Sequence, residues 1–298
     1  MAKLIGALAM SHAPQLIMPP EKWPDLPARA KGPFNPKATI ASEITPEAHL
    51  ARAAQCKAAI TGLREKLEAL NPDAVIVFGD DQHENIFDDN MSPFCIYTAE
   101  KVAATEHFLY LGAKAEDQMT HYDVPALAGD LLHQLWERDF DLAWSRETRD
   151  PCGLGHAFGR ALKFLMPTKK IPIVPIMVNT YYPPAPSARR CLRLGEALRA
   201  SLEAIPGDQR IVLLASGGLS HTVIDESFDH AFIGALYNRD VTYLESLSAD
   251  QMMYGTSEIR NWIILSGAMP KGVSHVDYIP CYRNADGVGC AMGFASWS

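Results

Sequence analysis

Residues 74–83 read AVIVFGDDQH, and this stretch decides the fold. An unbroken apolar run rich in β-branched residues, closed by Gly79, two aspartates and then His83, is the pattern of a strand buried on both faces that ends in a polar loop. Three further runs repeat it: Leu4 to Met10 before Ser11 and His12, Ile171 to Val178, and Ile211 to Ala215 before SGGLSH. Helical patterns fill the intervals. The clearest begins at Thr45, suited to cap it, with Pro46 in its first turn, and stops at Asn71-Pro72. Others run over Val124 to Trp136, Gly155 to Leu165, Ser187 to Ala204, Glu226 to Leu247 and Thr256 to Gly267. This alternation predicts an α/β fold with a mostly parallel or mixed central sheet flanked by helices. Gly272 to Cys281 and Val288 to Trp297 read instead as a C-terminal strand hairpin at the sheet edge, around Arg283-Asn284-Ala285-Asp286-Gly287.

No internal repeat or low-complexity linker divides residues 1–298, so a single domain is expected. One segment, Met18 to Glu43, has neither strand nor helix periodicity. A loop of that length beside a histidine-bearing strand reads equally as a surface excursion or a lid over a site.

Composition narrows the function classes. The 27 Lys plus Arg against 35 Asp plus Glu give a net charge of −8, and the longest basic run is Lys169-Lys170, which argues against a nucleic-acid surface. The apolar N-terminal stretch is too short and too polar for a signal peptide or a membrane span, and no longer one follows. Six cysteines scattered without a CxxC pair suit free thiols packed in a reducing cytosol, so a cytoplasmic protein with no membrane partner is expected.

Chemistry is expected outside the carboxyl ends of the parallel strands. His12, His83 and His221 each follow an apolar run there. Any one of them reads equally as a packing or capping histidine, but three together favour a shared metal, for which neutral imidazole is a ligand. No HExxH, CxxC or EF-hand spacing assembles the ligand set locally. The Ser216 to His221 stretch is not GxSxG, its glycines do not complete a phosphate-binding loop, and Asp80-Asp81 and Asp88-Asp89 read as solvated or capping groups.

Five stretches in order, ALAMSHAPQL, VIVFGDDQHENIF, GLGHAFGRAL, LLASGGLSH and GTSEIRNWIILSGAM, with YRNADGVGCAMGFASW at the end, carry a resemblance. The chain resembles the class III extradiol ring-cleavage dioxygenases, the family of the protocatechuate 4,5-dioxygenase catalytic β subunit. The resemblance implies iron ligands at His12, His83 and Glu258, a facial triad of two imidazoles and a carboxylate around Fe(II). Glu258 carries no signal of its own, since an acidic residue at a helix start is ordinary electrostatics. It also implies catalytic second-sphere histidines at His221, in GGLSH, and at His156, although GLGHAFG departs from the family's usual Asp-His-Gly.

The activity implied is oxygen-dependent opening of a catechol-like ring, with an aminophenol or hydroxypyridine as related substrates and O2 as co-substrate. A homo-oligomer, or a complex with a small second subunit, is expected to cover the site. Arg260, Arg283, Arg29 and Lys31 are the cations that a substrate carboxylate would call on, each otherwise an ordinary surface charge. Two other readings stand beside this one: a non-catalytic binding protein on the same scaffold, and a zinc-dependent hydrolase.

Overall fold

The computed structural model describes residues 1–27, 37, 39–105 and 119–298. Its central sheet is mixed. The strands run β1 (Lys3–Met10), β2 (Ala74–Asp80), β3 (Phe94–Tyr97), β4 (Lys101–Thr105), β5 (Met119–Asp123), β6 (Ala143–Ser145), β7 (Ile173–Val178), β8 (Arg210–Ser216), β9 (His221–Val223), β10 (His275–Tyr282) and β11 (Val288–Trp297). Their order in space is β10-β11-β1-β8-β2-β7-β3-β6, with β9 on β11, and β4 and β5 pair separately. The middle strands β1, β8, β2 and β7 are mutually parallel, so their carboxyl ends point to one rim. The predicted hairpin is β10 and β11, antiparallel, with β10 at the sheet edge.

The helices are α1 (Ile40–Glu43), α2 (Pro46–Leu70), α3 (Leu127–Trp136), α4 (His156–Leu165), α5 (Ala188–Ala204), α6 (Glu226–Asn238), α7 (Val241–Ser246) and α8 (Ile259–Ala268). One layer contains α2, against β1, β10 and β11, and α4, against β2 and β8; another contains α5, against β1, and α8, against β8. With both sheet faces covered, the middle strands become the unbroken apolar runs that the sequence displays. As expected, α2 is capped by Thr45, whose hydroxyl accepts the Ala48 N–H, and ends at Asn71 in the left-handed region at φ 40°.

The helix expected over Glu226 to Leu247 is two helices. Arg239 turns left-handed at φ 50°, and Asp240 then caps a second helix by accepting the Tyr243 N–H. The helix expected from Thr256 starts at Ile259, after a 3-10 turn over Tyr254–Thr256. Within the predicted loop at 18–43, a 3-10 turn over Pro20–Asp25 seats Trp23 in the core, its indole N–H donating to the Gln15 carbonyl. Residues 28–36 and 38 of that loop, Arg29 and Lys31 among them, lie outside the described residues. Among the described residues no helix is long and apolar enough to cross a membrane.

Candidate active site

Three strand ends meet at His12. The residue lies just past β1, Asp80 closes β2 and Ser216 closes β8. The Ser216 hydroxyl donates its one proton to the Ala157 carbonyl, so across the 3.0 Å contact with His12 Nδ1 it can only accept. His12 therefore carries its proton on Nδ1, and Nε2 keeps the lone pair. That lone pair faces Glu258 Oε1 at 3.6 Å and Asp80 Oδ1 at 3.7 Å. Gln82 donates to the other Asp80 oxygen, and Oδ1 has no hydrogen-bond partner although Asp80 is fully buried.

Glu258 sits at the position before α8 and is held by the double glycine. Its Oε2 accepts the Gly218 N–H at 2.8 Å, leaving Oε1 for the site. Gly217 is left-handed at φ 129°, and a Cβ there would lie 2.8 Å from the Glu258 Cβ, so only glycine lets the loop approach this closely. The same loop aims His221. Its Nδ1 donates to the Leu219 carbonyl at 3.3 Å, which leaves the Nε2 lone pair 3.6 Å from Glu258 Oε1. Ser220 is fixed by Asp229, which accepts its N–H and its hydroxyl and also the Tyr278 hydroxyl. Ser216 and Ser220 are thus both spent on orienting the site, which leaves no serine nucleophile in this loop.

His156, the first residue of α4, packs its ring against His12 edge-on at 4.9 Å between centroids. Among the described residues, one donor atom each from His12, Asp80 and His156 lie within 4.8 Å of one another, all three buried. Burial drives the electrostatics. It lowers the His12 pKa to about 3, against the pull of Glu258, and lowers His221 and, further, His156, so all three imidazoles are neutral at pH 7. The same desolvation pushes Glu258 up to about 7. Arg160, fully buried, donates to the His12 carbonyl at 2.8 Å.

Neutral imidazole lone pairs aimed at ionised carboxylate oxygens repel one another, which favours a proton on Glu258, whose pKa desolvation already raises, or a cation in its place. A divalent cation resolves that arrangement, and a set of imidazole and carboxylate donors without thiolate suits a first-row metal. The residues present therefore fit a metal.

His83 does not join this group. It is left-handed at φ 61°, a third exposed, bonded through Nε2 to Asp88 at 3.2 Å and stacked on Tyr182 at 3.8 Å between ring centroids. Asp80, expected to be solvated or capping, is instead buried against His12, because it is still the last residue of β2. The capping role belongs to Asp81, which accepts the N–H groups of Glu84, Asn85 and Ile86. Glu84, which carries no signal in the sequence, accepts the His156 backbone N–H. Arg260 is neither a surface charge nor a substrate clamp: it is buried and donates to the carbonyls of Pro186, Thr180, Met252 and Ser257. Arg283 is part-buried and donates to the Leu26 carbonyl. His121 and His133 are exposed on β5 and α3.

Fold and site together define an α/β protein with a buried cluster of imidazoles and carboxylates, a group that could hold a metal, at the carboxyl rim of its sheet. The sequence profile described as the catalytic LigB subunit of aromatic ring-opening dioxygenase matches residues 35–289, and the chain belongs to that family. It is 30% identical over 161 residues to a gallate dioxygenase of Pseudomonas putida, covering 50% of this chain and 46% of that protein. It is 33% identical over 160 residues to a 2,3-dihydroxyphenylpropionate/2,3-dihydroxicinnamic acid 1,2-dioxygenase of Paraburkholderia xenovorans, covering 53% of this chain and 46% of that one. The matches thus span about half the length of these curated relatives. An uncharacterized protein, JW3007, from Escherichia coli K12 superposes with a TM-score of 0.51 at 16% identity, over 98% of this chain and 99% of its own, and shares the fold.

Proposed function

We propose that the protein is an Fe(II)-dependent extradiol dioxygenase that opens the ring of a catechol-like substrate with O2. What supports this most is His12: its tautomer is set by Ser216, and its Nε2 lone pair faces two buried carboxylate oxygens. His12 and Glu258 are the first two iron ligands. The family resemblance supports His83 as the third, which requires its ring to leave Tyr182 and Asp88; Asp80 is the competing donor. Bound there, ferrous iron supplies the path by which electron density passes from an electron-rich diol to dioxygen.

The protein's own residues do the remaining work. His221, neutral at pH 7 with its Nδ1 proton engaged by Leu219, accepts a proton from a ring hydroxyl at Nε2. His156, packed edge-on against His12, relays a proton or holds the substrate. Burial of His12, Glu258 and His156 keeps bulk water from the donors.

The test is anaerobic reconstitution with Fe(II), then a panel of catechols, aminophenols and hydroxypyridines with oxygen uptake recorded. The expected result is one O2 consumed per ring opened, with both oxygen atoms of labelled O2 in the product. His221→Ala should retain iron and lose turnover by about 10²–10⁴-fold. Tight zinc, no iron uptake and no turnover across the panel would overturn the reading in favour of a zinc enzyme.

A further inference from the structure

We propose that Glu84 is a positioning residue that selects the tautomer of His156; this rests on the dioxygenase reading above for its kinetic consequence and on geometry alone for the rest. Glu84 Oε1 accepts the His156 backbone N–H at 3.0 Å and touches His156 Nδ1 at 2.8 Å. A backbone amide only donates, so Oε1 accepts there; with Glu84 ionised Oε1 has only lone pairs to offer His156 as well, and Nδ1 carries the ring proton. Nε2 is then the nitrogen with a lone pair, in a ring whose edge meets His12 beside Asp80.

The surroundings are built for this contact. Asp81 ties down the turn bearing Glu84 by accepting the Glu84 N–H at 3.1 Å, and the neighbouring Asn85 side chain donates to the Gly153 carbonyl at 3.1 Å. At position 155 a Cβ would fall directly on the Glu84 carboxylate, so Gly155 is what admits it. Holding a buried carboxylate that way costs free energy, since Glu84 Oε2 is buried without a partner. A helix cap alone does not require it: Ser, Thr, Asp or Asn at position 155 is the ordinary solution. A carboxylate on the far nitrogen of an imidazole fixes its orientation and stabilises the imidazolium that forms when the near nitrogen takes a proton.

The first measurement is long-range ¹H–¹⁵N correlation on ¹⁵N-histidine-labelled full-length protein without added metal, with His156 assigned by its loss in His156→Gln. The wild type should show the Nδ1–H tautomer, and a wild-type Nε2–H signal overturns the proposal outright. Glu84→Ala should shift His156 towards Nε2–H, while Glu84→Gln should keep Nδ1–H, because its amide oxygen is held by the His156 backbone N–H. In the iron-loaded enzyme, Glu84→Ala should lower kcat by about 10²-fold with KM and iron content near wild type, and Glu84→Gln should recover most of that loss. Adding Glu84→Ala to His156→Ala should cost nothing further, since the two act as a unit. Additive losses, or wild-type kcat in Glu84→Ala, overturn the kinetic part. Absence of any ring opening by the wild type overturns the dioxygenase reading instead and leaves the tautomer result to stand or fall by itself.

Discussion

Ile76 and Asp80 lie four positions apart on β2, both fully buried, and the strand treats them oppositely. Ile76 sits in the apolar core, where burial of such a side chain is worth about 1.5–3 kcal/mol. Asp80 is as buried but has an oxygen with no partner, a deficit that costs about 1–3 kcal/mol. The neighbouring strands make the same change at their carboxyl ends, from Met10 closing β1 to His12 just past it, and from Ala215 to Ser216 closing β8 and the double glycine beyond. One sheet thus has a satisfied middle that holds the fold and an unsatisfied rim that the proposed metal would complete. The two should separate under mutation.

The largest expected effect is at the rim. Glu258→Ala should abolish retention of Fe(II) through desalting, because it removes the carboxylate that faces both His12 and His221. Thermal stability without metal should hold or rise, since a desolvated carboxyl group is removed. Iron content is read by chelator absorbance and stability by calorimetry. Unchanged iron with lowered stability would invert the division between rim and middle. In the same assay His83→Ala and Asp80→Ala decide the third ligand, and His83→Ala is expected to be the variant that loses iron.

The middle of the sheet was legible in sequence for the same reason that it is stable. Strands covered on both faces must be apolar throughout, so β1, β2, β7 and β8 announce themselves, and Thr45-Pro46 and Asn71 mark the ends of α2 by local chemistry. The rim was only partly legible. His12 and His221 stand out because an imidazole after an apolar run is conspicuous, whereas Glu258 enters through resemblance, as any acidic residue suits a helix start. Asp80 was hidden by Asp81: the strand's last inward position falls on the first aspartate and the turn's cap on the second, a register that no local pattern distinguishes. Glu84 was invisible because its partner His156 is 72 residues away. The break between α6 and α7 is hidden because Arg239, not a glycine or a proline, takes the left-handed turn.

An intermediate effect is expected in the middle. Ile76→Ala should destabilise the fold by about 2–5 kcal/mol through lost burial and the cavity left behind. Iron bound per folded molecule should stay at the wild-type ratio. Urea unfolding followed by circular dichroism measures the first and iron analysis of the folded fraction the second. Loss of iron from folded Ile76→Ala would mean that the sheet's middle and rim are one cooperative unit.

The smallest effect sharpens the comparison at the boundary, where Ser216 belongs to both regions. It is the last residue of β8, its carbonyl accepts the Asn261 side chain, and its hydroxyl spans from the Ala157 carbonyl to His12 Nδ1. Ser216→Ala keeps the backbone bond and removes the acceptor that holds the His12 proton on Nδ1, together with the hydroxyl's bond to the Ala157 carbonyl. The imidazole is then free to place its proton on Nε2, where it would bond to a carboxylate and compete with the metal. Fe(II) affinity, measured by chelator competition, should fall by about 10–100-fold, the range for a lost outer partner of a metal-bound histidine. Ser216→Thr, which keeps a hydroxyl, should restore it. If affinity is unchanged in Ser216→Ala, the lone pair on His12 Nε2 is directed by the carboxylates rather than by Ser216, and the rim organises itself without help from the strand beneath it.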